Sequence, residues 1–111
     1  MEAEKILKMI ESYRAGDRER EAQINESVCH YFGLIPKPVA PYMTSRDALR
    51  FIRPDGFWFT FNSYSHDDND FTFYDEKSDW HTNVVTLATE TAAELHAIIQ
   101  ATEYRRETAN R

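Results

Sequence analysis

The amino-acid sequence predicts an α+β domain, a three-stranded, mainly antiparallel sheet packed with N-terminal and C-terminal helices in the order α-α-α-β-β-β-α. Three observations predict it. Apolar residues recur at helical spacing in the first third of the chain and again near its end. Between them, the aromatic stretch from Phe57 to Tyr74 alternates with polar residues at period two around a polar tip. Proline and glycine punctuation separates the two regimes. At 111 residues the chain fits one domain. Its parts are a helical region at 1–33, a proline-rich connector at 34–43, a helix–sheet–helix core at 44–106 and a frayed tail at 107–111.

The first helix covers residues 3–14, where Ala3, Ile6, Leu7, Ile10 and Tyr13 fall on one face. Ala15-Gly16 ends it, and Asp17 is a good N-cap for a second helix with acids in its first turn. Ile24, Val28, Tyr31 and Phe32 form the stripe of that helix, and Gly33 stands at its natural C′ position. Pro36, Pro38 and Pro41 then forbid helix and favour an extended connector. Thr44, with Asp47 three residues on, resembles the capping box of a short helix running through Ile52, with Ala48, Leu49 and Ile52 facing inward. Pro54-Asp55-Gly56 is a turn in which Pro presets φ and Gly accepts a positive value.

Strands follow at 57–62 and 71–74, joined across a tip at 67–70, and a third is expected from Thr82 to Ala88. Phe57, Phe59, Phe61, Phe71, Phe73, Val85 and Leu87 line one face of the sheet; Trp58, Thr60, Asn62, Thr72 and Tyr74 line the other. Helices on both sides would make Trp58 and Tyr74 core, which is the preferred reading, whereas an uncovered face would make them an interface. Thr91 and Glu94 read as the capping box of the last helix. Leu95, Ile98, Ile99 and Thr102 form its face, and Tyr104-Arg105-Arg106 closes its final turn.

Composition narrows the functional classes. Hydrophobic residues make up 41% of the chain, enough for a packed core. Seven Phe, six Tyr and two Trp mean that either the core is aromatic-rich or part of that surface faces a partner. No segment approaches the roughly 18–20 apolar residues of a membrane helix. The N-terminus, Met1-Glu2-Ala3-Glu4-Lys5, is charged and unlike a signal peptide, and the single Cys29 leaves no internal disulfide. These features point to a bacterial cytoplasm. The net charge of −6 is concentrated between Tyr64 and His81, where Asp67, Asp68, Asp70, Asp75, Glu76 and Asp79 face one base, Lys77. Of 19 acids and 13 bases in all, 13 and 12 then remain for the rest of the chain. That distribution disfavours nucleic acid and anionic membrane and favours a basic protein surface.

Four constellations carry the candidate chemistry. His66, Asp67, Asp68, Asp70, Asp79 and His81 could chelate a metal, but the loop lacks the Gly and distal Glu of a calcium hand and the two His match no zinc spacing. A solvated hairpin tip explains them, so no metal or other cofactor is expected. Cys29 and His30 are helix neighbours about 100° apart and cannot form a nucleophile–base pair, and no Gly-rich phosphate loop exists. No catalytic residue is therefore assigned, and Cys29 reads as a small buried hydrophobe. The partner-binding candidates are Tyr64, Asp67, Asp68, Asp70, Tyr74, Asp75, Glu76, Asp79 and Trp80, carboxylates for Arg and Lys with aromatic anchors between them. The competing explanation is an edge kept soluble by charge. Arg46, Arg50 and Arg53, at i, i+4 and i+7 on the short helix, form an alternative ligand-binding face or a solvated one.

A resemblance adds to this reading. The stretch Ala40-Pro41-Tyr42-Met43-Thr44-Ser45-Arg46-Asp47-Ala48-Leu49, followed by Pro54-Asp55-Gly56-Phe57-Trp58, resembles a family of small phage and prophage proteins of no assigned common activity. Gly16-Asp17-Arg18-Glu19 and the closing helix from Thr89 to Ala101 match in register. Leu49 stands where a second Ala is usual, and the segment from Tyr64 to His81 is longer and more acidic than expected. The resemblance implies an ABA-sandwich-like domain of phage origin. The resemblance itself implies no activity; taken with the small size, the absence of catalytic residues and the localised acidity, it points to an accessory protein that acts by binding a host protein with a basic surface, most concretely an inhibitor of a defence system of the CRISPR–Cas kind. A nucleotide-signal sponge and a structural or assembly component of the phage, the latter expected to form large assemblies, are the alternatives, and a homodimer is a further expectation.

Overall fold

In a computed structural model of the chain, which describes residues 2–34, 38–65 and 67–109, local capping signals set most of the helix boundaries. Helix α1 (Glu2–Glu11) buries Ala3, Ile6 and Ile10. It stops short of the expected 3–14 because Tyr13 bonds Ile10 in a tighter turn (N···O 3.2 Å). The Tyr13 hydroxyl then clamps the corner by donating to Glu21 at 2.6 Å. Helix α2 (Arg18–Phe32) starts where Asp17 accepts from the Arg20 N–H. It ends at Gly33, whose φ of 69° lets its N–H reach His30 O while Leu34 N reaches Cys29 O. That pair of bonds is the Schellman arrangement.

Residues 35–37 of the proline-rich connector, His66, and 110–111 of the tail lie outside the described residues. Helix α3 is shorter than expected, Arg46–Arg50, and its cap is Ser45, which accepts from Ala48 N. The expected cap, Thr44, is held one residue too early by its N–H bond to Pro41 O (3.1 Å).

Strands β1 (Phe57–Ser65) and β2 (Asp68–Asp75) pair antiparallel, Phe57 opposite Asp75 through Ser65 opposite Asp68, with an irregularity between Ser63 and Ser65. The hairpin runs further than the alternation indicated because side chains continue the pairing. Asn62 donates to Asp70 at 3.0 Å and Ser63 donates to Asn69 at 2.7 Å. The expected tip residues Asp68, Asn69 and Asp70 are thus strand.

The third strand does not form; the described sheet has two strands. Thr82 N bonds Phe73 O and Leu87 exchanges bonds with Asn69, so the segment touches β2 at both ends. Between those anchors four residues, 83–86, lie opposite three, 70–72. The extra residue breaks the ladder as a bulge does. The Thr82 hydroxyl takes the Phe73 N–H (3.0 Å), and the Asn83 N–H is drawn away to Gln100 (2.8 Å).

Helix α4 (Glu90–Ala109) forms the centre of the core, with Ala92 through Ile99 and Ala101 all buried. A helix buried on every side must be covered from several directions. Here β2, α1 and α3 each pack on it, and α1 packs in turn on α2. Its cap is Thr89, which accepts from Ala92 N, and the expected cap Thr91 instead donates to Met43 O at 2.5 Å. The tail expected to fray continues the helix to Ala109, with Thr108 bonding back to Tyr104 O.

Candidate functional site

Strand alternation and register put two chemically different faces on one hairpin. On the first, Trp58 pairs with Tyr74, Thr60 with Thr72 and Asn62 with Asp70. The Trp58 and Tyr74 rings stack at 4.0 Å and 9°. The expectation that both are core does not hold for Trp58, which is 52% exposed. The principal helix contact of the sheet is α4 against β2, whereas Trp58 stands on β1, which has no comparable helix contact. Tyr64, 70% exposed, stands at the irregularity beside the tip.

The acidic candidates divide between the two ends of the hairpin. Asp67 and Asp68 lie at the tip, and Asp75, Glu76 and Asp79 at the other end, roughly 24 Å away along the strand. Asp70 is buried and accepts from Asn62. Asp75 is also buried and organises a turn, accepting from Tyr104 (2.7 Å), the Lys77 N–H (2.9 Å) and Ser78 (3.0 Å). The Tyr104 hydrogen bond leads the effects that hold its carboxyl below the usual range. Trp80 is half-buried and stacks on Tyr104 at 3.9 Å. Asp70, Asp75 and Trp80 are therefore structural. Tyr64, Asp67, Glu76 and Asp79 are exposed, and Asp68 and Tyr74 partly so.

The weighed metal set is likewise not brought together. Asp67 and Asp68 are at the tip, while Asp79 and His81 are at the far end, where the His81 ring bonds Thr82 O at 2.8 Å. Among the described residues no three His, Cys, Asp or Glu side chains converge on a metal position. Cys29 is buried with Sγ 3.9 Å from the Tyr42 hydroxyl, whereas His30 is exposed, so the two diverge.

The second face carries the arginines. Arg46, Arg50 and Arg53 stand over Phe59, Phe61 and Phe71 and enclose a cavity of about 230 Å³ with Glu94. Arg46 lies 5.3 Å above the Phe61 ring and Arg53 4.9 Å above that of Phe59. Arg53 is bound to Glu94, a carboxylate only 2% exposed, at 2.5 Å. The partners of the other two are exposed, Glu90 at 3.2 Å from Arg46 and Asp47 at 3.7 Å from Arg50. Such surface pairs contribute about 0–1 kcal/mol. The Arg53 Nε is buried without a hydrogen-bond partner among the described residues. Phe59 and Phe61, which read from sequence as lining one face of the sheet, form a cavity wall, and Phe59 is 46% exposed. The signal for Glu94 was present: an acid four residues before Ile98 sits on the apolar stripe and needs a buried cation.

No protein-family model, curated protein or solved structure matches the chain. No described helix is long and apolar enough to cross a membrane.

Proposed function

We propose that the protein acts by binding a partner protein through the Trp58 face of the hairpin. The observation that carries this reading is the pre-stacked Trp58–Tyr74 pair, with Trp58 half-exposed where burial would normally be expected. Aromatic side chains already held in place lose little freedom on binding, which makes them effective anchors. Glu76 and Asp79 in the turn that follows β2, and Asp67 and Asp68 at the tip, are at least partly exposed and would give the surface an acidic rim. Such a rim steers and selects a basic partner. The phage-type motifs support a bacterial host protein as that partner, with antagonism of a defence system as the concrete version.

The test exchanges Asp67 and Asp68 for Asn, Glu76 for Gln and Asp79 for Asn, all on the exposed or half-exposed rim. Capture of a basic protein from host lysate should fall at least tenfold and lose its salt dependence. Unchanged capture would sink the acidic-rim reading.

A further inference from the structure

We infer that the cavity between α3 and the phenylalanine face of the hairpin is a binding site for a small aromatic anion, a single ring bearing a carboxylate or phosphate. The ring would lie against Phe59 and Phe61, and the anionic group on Arg46 and Arg50. Because neighbouring strand residues point to opposite sides of the sheet, this site and the Trp58 surface lie on different faces. Each can be tested without the other.

Three features define the ligand. The cavity has a cationic wall from one helix face and an aromatic wall from β1 and β2, which matches a molecule with one charged and one apolar end. Arg53 is already neutralised by buried Glu94, so it orders the site and leaves Arg46 and Arg50 to meet the anion. The ion pairs of those two are with exposed carboxylates, which an incoming anion displaces with little resistance. Finally, about 230 Å³ falls below the roughly 300–1,000 Å³ of sites for drug-sized ligands. One substituted ring fits that size; a dinucleotide signal does not fit within one protomer.

Calorimetric titration of the intact chain with phenyl phosphate and benzoate, alongside inorganic phosphate and phenol, tests the inference. The comparison protein is the double variant Arg46→Ala/Arg50→Ala. Both side chains are at least half exposed, and circular dichroism checks that the fold is retained. The expected result is saturable 1:1 binding of at least one aromatic anion. It should be at least tenfold tighter than inorganic phosphate or phenol, and at least tenfold weaker in the double variant. Absence of saturable binding, equal affinity for inorganic phosphate, or affinity that survives the double substitution would each overturn it.

Discussion

Two buried polar residues on α4 couple single side chains to the stability of the whole chain. Glu94 and Arg53 compensate each other, and removing one partner of such a pair strands the other charge. Glu94→Leu is expected to lower stability in urea denaturation by about 3 kcal/mol, the low end of the buried-pair range because Arg53 is 31% exposed. Adding Arg53→Leu should recover part of that loss; a double variant as unstable as the sum of the singles would refute the coupling. His96 is buried, with Gln100 donating to Nδ1 at 2.8 Å and Nε2–H directed at Glu11 at 2.8 Å. Burial depresses its pKa below 6.5, against the opposing pull of Glu11. The unfolded chain then takes up the proton first as pH falls, so this contribution is complete above about pH 6.5 and is lost on acidification through the folded value. Melting temperature should therefore fall below pH 6.5 in the native chain and change less in a His96→Gln variant. Tyr13 behaves oppositely: burial, with the bond to Glu21, pushes it up to about 12, so its contribution persists to pH 10 and is lost as pH rises toward 12.

At the scale of elements, what was legible in the sequence was what is set locally. Asp17 and Gly33 were readable as caps because their chemistry acts within one turn. The faces of β1 and β2 were readable because alternation alone fixes them. Errors arose where distant residues compete. Thr91-x-x-Glu94 has the form of a capping box, yet Met43 O takes the hydroxyl and Arg53 takes the carboxylate, leaving Thr89 to cap α4. The segment after β2 has strand-like composition, but its one-residue excess between anchors prevents a ladder. Thr89→Ala should accordingly destabilise by about 1 kcal/mol in urea denaturation. Thr82→Val should cost about 1–3 kcal/mol because it orphans the buried Phe73 N–H. An ordinary surface-like cost for Thr82→Val would mean that the anchor is dispensable. Gly56 has φ +87°, a conformation that L side chains rarely adopt, while a Cβ there would meet only the movable end of the Arg105 side chain. The positive φ explains why that turn uses glycine.

For the molecule as a whole, the Cα radius of gyration is 13.3 Å, close to the about 13 Å expected of a packed domain this size. Sharing one central helix ties the hairpin and the N-terminal helices together, so heat should unfold them in a single transition seen alike by helical circular dichroism and tryptophan fluorescence. The candidate site was legible in its residue types and only partly in its arrangement. The arginine spacing placed three cations on one face, but the cavity appears only once β1 folds beneath them. The acidic run read as one surface, whereas the length of β2 divides it, and two of its acids, Asp70 and Asp75, together with Trp80, make contacts within the fold. The surface proposed to bind is the Trp58–Tyr74 pair with its exposed acidic neighbours. The most direct measurement compares the native chain with Trp58→Ser in two readouts, melting temperature and mass spectrometry of proteins co-eluting from host lysate. A functional face predicts a stability loss of no more than about 1.5 kcal/mol, the value of an aromatic pair, together with loss of the captured partner. A partner retained by Trp58→Ser, or none captured by either protein, would contradict the account.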